Sequence, residues 1–153
     1  MTKSDHTIRI AVASDADALV KFNEAMALET EGKHLPLETI TAGVNAVFSD
    51  EKKGFYVVVE KDAAIVGGLM VTFEWSDWRN KWFWWIQSVY ILPEGRGQKL
   101  YSKMYEFVKQ KAASDGNVCG FRLYVENDNL HAQKVYEALG MSSSHYLMYE
   151  EEV

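Results

Sequence analysis

Gly95-Arg96-Gly97 sits between a strand-like run and a helix-like run in WIQSVYILPEGRGQKLYSKMYEFV, residues 85–108. A helix start leaves about four backbone N–H groups without intrahelical partners, and the helix dipole adds positive potential there. Together they make a phosphate site. Glycine lets a phosphate come close to the backbone, and Arg96 adds a charge-assisted donor. Neither GxxxxGK[ST] nor GxGxxG is present. The segment is therefore a diphosphate turn of another kind, or an ordinary strand–helix turn with a surface arginine. Asn129 and Tyr136 lie seven residues apart on a short polar-to-apolar segment. Asparagine there caps a helix or contacts a ligand; the tyrosine is a core residue or a proton donor. A third cluster, FEWSDW (Phe73 to Trp78), sets acids beside indoles. Indole faces attract ammonium groups by ~0.5–2 kcal/mol, although an aromatic-capped hairpin explains the cluster equally well.

The elements that must position these groups follow from periodicity. Thr7 to Val12 is β-prone, and Ser14 three residues before Asp17 resembles a capping box opening a helix. Leu19, Phe22 and Met26 give that helix an apolar face, and Glu29 to Lys33 reads as a polar break. Pro36 starts a second helix, with Leu37, Ile40, Val44, Val47 and Phe48 on one stripe. Strands follow over Phe55 to Glu60, Ile65 to Trp75 and Trp82 to Ile91. Gly67 and Gly68 mark a bulge or a close backbone approach. Trp82 to Ile91 has aromatics on both faces, as a strand inside a sheet does. A helix carries Leu100, Met104, Phe107 and Val108; a strand runs from Val118 to Val125; a last helix covers about Asn129 to Leu139, with Gly140 as its stop. Tyr146 to Glu150 is expected to be a closing strand. The order β-α-α-β-β-β-α-β-α-β is an α/β chain with a mixed sheet and helices packed on it. No linker or repeat interrupts residues 1–153, so one domain is expected.

Two stretches in this order, V-Y-I-L-P-E-G-R-G-Q-K-L at Val89 to Leu100 and N-x-x-A-x-x-x-Y ending in L-G-M at Asn129 to Met141, resemble the GNAT superfamily of N-acetyltransferases. The resemblance spans essentially the whole chain. It implies a splayed central sheet in which the pantetheine arm of acetyl-CoA pairs with Val89, Tyr90 and Ile91. It implies a diphosphate turn from Arg96 to Tyr101, through the N–H groups of Gly97, Gln98, Lys99, Leu100 and Tyr101. Asn129 and Ala132 match the cofactor-side helix, and Tyr136 matches the tyrosine that protonates the departing thiolate. The family favours glycine at position 99 and glycine or alanine at 101; Lys99 and Tyr101 depart from that. Lys99 either reaches a phosphate or is a solvated helix residue. The FEWSDW region also resembles the spermidine/spermine branch, whose amine-holding acid corresponds here to the neutral Gln87.

The reaction implied is acetyl transfer from acetyl-CoA to the primary amine of a small molecule, by direct attack in a ternary complex. Alternatives are an acyl-CoA-binding regulatory module without turnover and a peptide or protein N-acetyltransferase. Residues for the amine are drawn from Glu29, Glu74, Trp75, Trp78 and Gln87, with Asp77, Tyr90 and Glu31 as further candidates for its proton. Net charge is −6 with no basic run, which argues against nucleic acid. No stretch reaches the ~20 apolar residues of a membrane span. Cys119 is the sole cysteine, so no intrachain disulfide forms, and a cytoplasmic setting is expected. It is read as a packing residue rather than a nucleophile. The four histidines lack metal-ligand spacing, and no metal is expected. Aromatic strands of this kind suit pairing across a homodimer.

Overall fold

The computed structural model describes residues 5–153, which form two compact units, one ending at Leu123 and the other spanning Tyr124–Val153. The first unit holds a five-stranded sheet of β1 (Thr7–Ile10), β2 (Phe55–Lys61), β3 (Ala64–Ser76), β4 (Lys81–Ile91) and β5 (Val118–Arg122). The strands lie in that spatial order. Neighbours are antiparallel except β4 and β5, which run parallel. Three helices belong to this unit: α1 (Ala16–Glu31), α2 (Leu37–Ser49) and α3 (Leu100–Asp115).

Alternation along β2 divides the core into two layers. Tyr56 and Val58 join Leu19, Val20 and Phe22 of α1 and Val44 of α2 in one apolar cluster. Val57 and Val59 point the other way, the side from which α3 approaches with Leu100, Met104 and Val108 fully buried. A strand with a helix on each face must be apolar at every position, which explains the unbroken FYVVV run.

Several local expectations change. Asp15, not Ser14, closes the start of α1: its Oδ2 accepts the Val12 N–H at 2.8 Å while both oxygens hold Arg9, at 2.8 and 3.0 Å. Residues 13–15 form a short 3-10 turn, and the capping arrangement joins Val12 and Asp15 in place of Ser14 and Asp17. The polar stretch from Glu29 is no break; α1 runs through it to Glu31, the Thr30 hydroxyl bonds back to the Met26 carbonyl, and Gly32 ends the helix at φ +64°. The tandem glycines are places of close approach: a Cβ on Gly67 would lie 3.2 Å from the Tyr90 carbonyl, and one on Gly68 would lie 3.2 Å from Leu19.

The second unit contains one helix, α4 (Leu130–Ala138). Gly140, at φ +100°, donates to the Glu137 carbonyl and stops it as expected. The closing strand is not formed: Tyr146 to Glu150 belongs to no regular element, and β5 ends at Arg122 rather than Val125.

Candidate functional site

β4 is the axis of the site. It pairs with β3 along its length, but with β5 only over Trp82 to Trp85, opposite Val118 to Arg122. From Ile86 to Ile91 the ladder has β3 on one side, and the parallel neighbour has ended. An open strand edge of this kind accepts an extended chain bearing amides.

Within that stretch the strand carries an extra residue. Gly68 faces Tyr90 and Met70 faces Gln87, so two residues of β3 span three of β4. Ser88 absorbs the mismatch at φ +53°. This bulge reverses the alternation. Phe83, Trp85 and Gln87 share a face, and beyond Ser88 it is Tyr90 that joins it, on the side of α1 and α2. Without the extra residue Val89 would take that place.

Tyr90 is buried, its ring centroid 5.5 Å from that of Phe22. Its hydroxyl donates to Glu29 Oε2. Glu29 Oε1 accepts Arg96 Nη2 at 2.9 Å, and Arg96 Nε donates to the Ile91 carbonyl at 2.9 Å. The guanidinium carbon also lies 5.4 Å from the Tyr90 ring centroid. The last turn of α1, the bulged strand and the loop after β4 thus converge on one carboxylate. The Tyr90 hydroxyl, then Arg96, hold the Glu29 carboxyl below its ordinary range; the same carboxylate pushes the Tyr90 phenol up. At neutral pH this is a carboxylate paired with the Arg96 guanidinium and holding a protonated phenol.

The loop after β4 leads into α3. Pro93 to Gly95 make a 3-10 turn. A Cβ on Gly95 would meet Ile91 and Leu100 at 3.2 and 3.3 Å, so glycine keeps the link tight. Gly97 has φ +80° and nothing within 4 Å of an added Cβ. Lys99 precedes the helix in the left-handed region, at φ +60° and ψ +31°. The first helical bond joins Lys103 N–H to the Lys99 carbonyl, so the amides of the first turn of α3 lie ahead of the ladder. This open, amide-lined start fits an anion. Tyr101 lies parallel to Tyr105, with ring centroids 6.1 Å apart.

The other expected residues are dispersed. Glu74 accepts Arg122 Nη1 and Trp85 Nε1, both at 2.8 Å, and its carboxyl is lowered by these contacts, the indole first. Gln87 Nε2 donates to the Thr72 hydroxyl across the β3–β4 pair. Trp75 packs edge-on against Trp82, 4.9 Å between centroids, and Trp78 stands 89% exposed in the hairpin turn. Cys119 Sγ lies 3.4 Å from the Trp82 carbonyl, to which its thiol donates. Arg122 was not anticipated; its guanidinium carbon lies 3.6 Å from the Phe83 ring centroid. Alternation of Arg122 with Phe121 and Leu123 was the only sequence signal for it.

In the second unit, Asn129 Oδ1 accepts the Ala132 N–H at 3.1 Å, so the capping role is realised. Gln133 secures the preceding loop through the Glu126 and Asn127 carbonyls. Tyr136 is half-buried, and burial raises its phenol pKa, which keeps the proton on at neutral pH.

Residues 19–141 match the model of the Acetyltransferase (GNAT) family. The chain is 23% identical over 116 residues to S-alkylcysteine N-acetyltransferase of Bacillus subtilis (strain 168); the match covers 73% of this chain and 64% of that protein's length. It superposes with a TM-score of 0.90 on the crystal structure of a possible acetyltransferase from Clostridium difficile 630, at 44% identity over 97% of both chains. The fold of AAC(6')-Iy, solved with a bisubstrate analog of CoA and acetylneamine, also matches, with a TM-score of 0.78 and 14% identity over 98% of this chain and 99% of that one.

Proposed function

The chain belongs to the acetyltransferase (GNAT) family, and on that premise we propose that it moves an acetyl group from acetyl-CoA to the primary amine of a small molecule. The enzyme class and the acetyl donor come with the family. The acceptor, the order of events and the residue roles are the proposal. The family match crosses the boundary at Leu123, which supports reading the chain as one acetyltransferase domain.

The observation that carries the acceptor class is the Glu29 carboxylate, held anionic by Tyr90 and Arg96 on the α1 side of β4. An ammonium group docking there would share this carboxylate with Arg96. A carboxyl lowered in this way is a poor proton acceptor, so Glu29 acts as a binding group rather than as the general base. S-alkylcysteine and aminoglycosides, the acceptors named for two similar proteins, are both small amines.

The residues present fit acetyl-CoA. The amides of Gly97 to Tyr101 would hold the diphosphate, and the edge of Val89 to Ile91 would hold the pantetheine amides. Bound there, acetyl-CoA supplies an acetyl group activated as a thioester. By the family resemblance Asn129 and Ala132 are assigned to the cofactor, and Tyr136, whose phenol burial keeps protonated, to the proton that the departing thiolate takes up. Cys119 keeps its thiol on the Trp82 carbonyl, which favours direct attack by the amine over a covalent relay.

A CoA-release assay over a panel of small amines, amino-acid derivatives and peptides tests the reading. Turnover with a small amine and initial-rate lines that intersect are expected. Acetyl-CoA binding with no turnover on any amine would establish the regulatory module instead, and turnover confined to peptides would move the acceptor to that class.

A further inference from the structure

One guanidinium spans the donor and acceptor halves of the site. Arg96 Nη2 donates to Glu29 Oε1 and Arg96 Nε donates to the Ile91 carbonyl, both at 2.9 Å. Each of these acceptors is one that a ligand would use. The Leu92 N–H donates to the Val66 carbonyl at 2.9 Å, and a Cβ on Gly67 would lie 3.2 Å from the Tyr90 carbonyl, so residues 90 and 92 both turn their polar groups to β3. Ile91, between them, turns its carbonyl the other way, to the edge on which pantetheine amides would pair. Glu29 is the carboxylate at which an amine would dock. A pantetheine amide and an ammonium group therefore each compete with Arg96 for an oxygen it already holds. Arg96 also stands immediately before Gly97, the first of the amides that would hold the diphosphate. A guanidinium fork matches phosphate as well as carboxylate.

We propose that Arg96 is a latch between the two halves: it moves from Glu29 and the Ile91 carbonyl to the diphosphate of acetyl-CoA, and so frees the Glu29 carboxylate for the amine. This rests on the acetyl-CoA reading and adds to it a coupling carried by one side chain. The exchange leaves no acceptor bare. The guanidinium trades a carboxylate for another anion, and the Ile91 carbonyl trades Nε–H for an amide N–H. Glu29 keeps the Tyr90 hydroxyl, which contributes more than Arg96 does to holding it ionised, so it stays an anion when Arg96 leaves. Such a coupling is reciprocal: the amine strengthens acetyl-CoA binding by the factor through which acetyl-CoA strengthens that of the amine.

Isothermal titration of the full chain with CoA, with no amine present, tests the latch without turnover. Glu29→Gln removes the charge that holds Arg96 and should tighten CoA binding about fivefold. With an amine saturating, Arg96 is already off Glu29, so the gain belongs to binding measured without one. Loss of a negative charge also favours an anion through space. The same change is therefore made in Arg96→Met, which keeps the stem and has no donor, and there the gain should fall below about twofold. A second readout needs only the parent chain: the Arg96 Nε–H resonance, identified by its loss in Arg96→Met, should shift when CoA is added. Equal gains in the two backgrounds overturn the latch and leave the acetyl-CoA reading standing. So does an Nε–H resonance that bound CoA leaves in place. A parent chain that binds no CoA overturns the acetyl-CoA reading, and the latch with it.

Discussion

Replacing Lys99 with glycine probes the diphosphate turn at its most strained point. Lys99 sits at φ +60°, a conformation that costs an L-residue about 1–2 kcal/mol. Glycine adopts it freely but loses about 0.5–1 kcal/mol more backbone entropy on folding. The side chain is exposed and caps nothing, so no packing is forfeited. The balance is a gain of about 0.5–1 kcal/mol. In a chain of this length each kcal/mol moves Tm by about 2–4 °C, so differential scanning calorimetry should show a rise of about 1–4 °C. Isothermal titration with CoA gives the second half of the test. If the turn uses only its amides, affinity stays within about twofold, since a solvated lysine contributes little. A lysine that holds a phosphate forms a charge-assisted bond of about 1.5–3 kcal/mol, and its loss costs tenfold or more. A fall in Tm refutes the strain argument; a tenfold loss of affinity refutes the solvated placement of the side chain.

Four further outcomes are expected. Tyr136→Phe should lower kcat by about 10²-fold or more while the Kd for acetyl-CoA hardly moves; equal turnover in variant and parent removes it from the proton-donating role. Glu29→Gln should raise KM for the amine about tenfold with KM for acetyl-CoA unchanged, and a rise confined to acetyl-CoA would relocate Glu29 to the donor side. Arg9 holds the Asp15 carboxyl below its ordinary range, so the pair contributes its full stability above the unfolded value of about 3.9 and loses it as pH falls through the folded one. Asp15→Asn should therefore lower Tm at pH 7 and flatten the acid limb of the Tm–pH curve; a limb as steep as the parent's would show that other carboxylates set it. In Gly120→Ala a Cβ would stand 2.8 Å from the Phe83 ring, and a loss of about 1–3 kcal/mol is expected by urea denaturation; an unchanged midpoint means that the Phe83 ring and Arg122 shift together.

The helices and most strands were legible because their apolar spacing is a local property. Pro36 before the Leu37–Phe48 stripe and Gly140 after α4 act through their own backbones, and both appear where the sequence places them. The misplaced features depend on distant partners. Asp15 displaces Ser14 because Arg9, six residues earlier on β1, grips its carboxylate. The polar end of α1 stays helical although it has no apolar face to announce it, and that extra turn delivers Glu29 to Tyr90 and Arg96, 61 and 67 residues away. Two glutamates that composition marks alike end in different surroundings for the same reason. Glu29 gained two partners facing the open stretch of β4, whereas Glu74 was taken up by Arg122 and Trp85. The bulge in β4 left no trace, because a serine rather than a glycine adopts the left-handed conformation.

That bulge bears on anyone who redesigns the acceptor specificity. β4 is read in two frames, odd-numbered positions facing α1 and α2 before Ser88 and even-numbered ones after it. A mutagenesis library that diversifies every second residue in one fixed parity would cross at Ser88 from the α1–α2 side of the sheet to the α3 side. Most of its members would fail for want of stability rather than for want of recognition. Switching parity at Ser88 confines the variation to the face that carries Tyr90, the partner of Glu29.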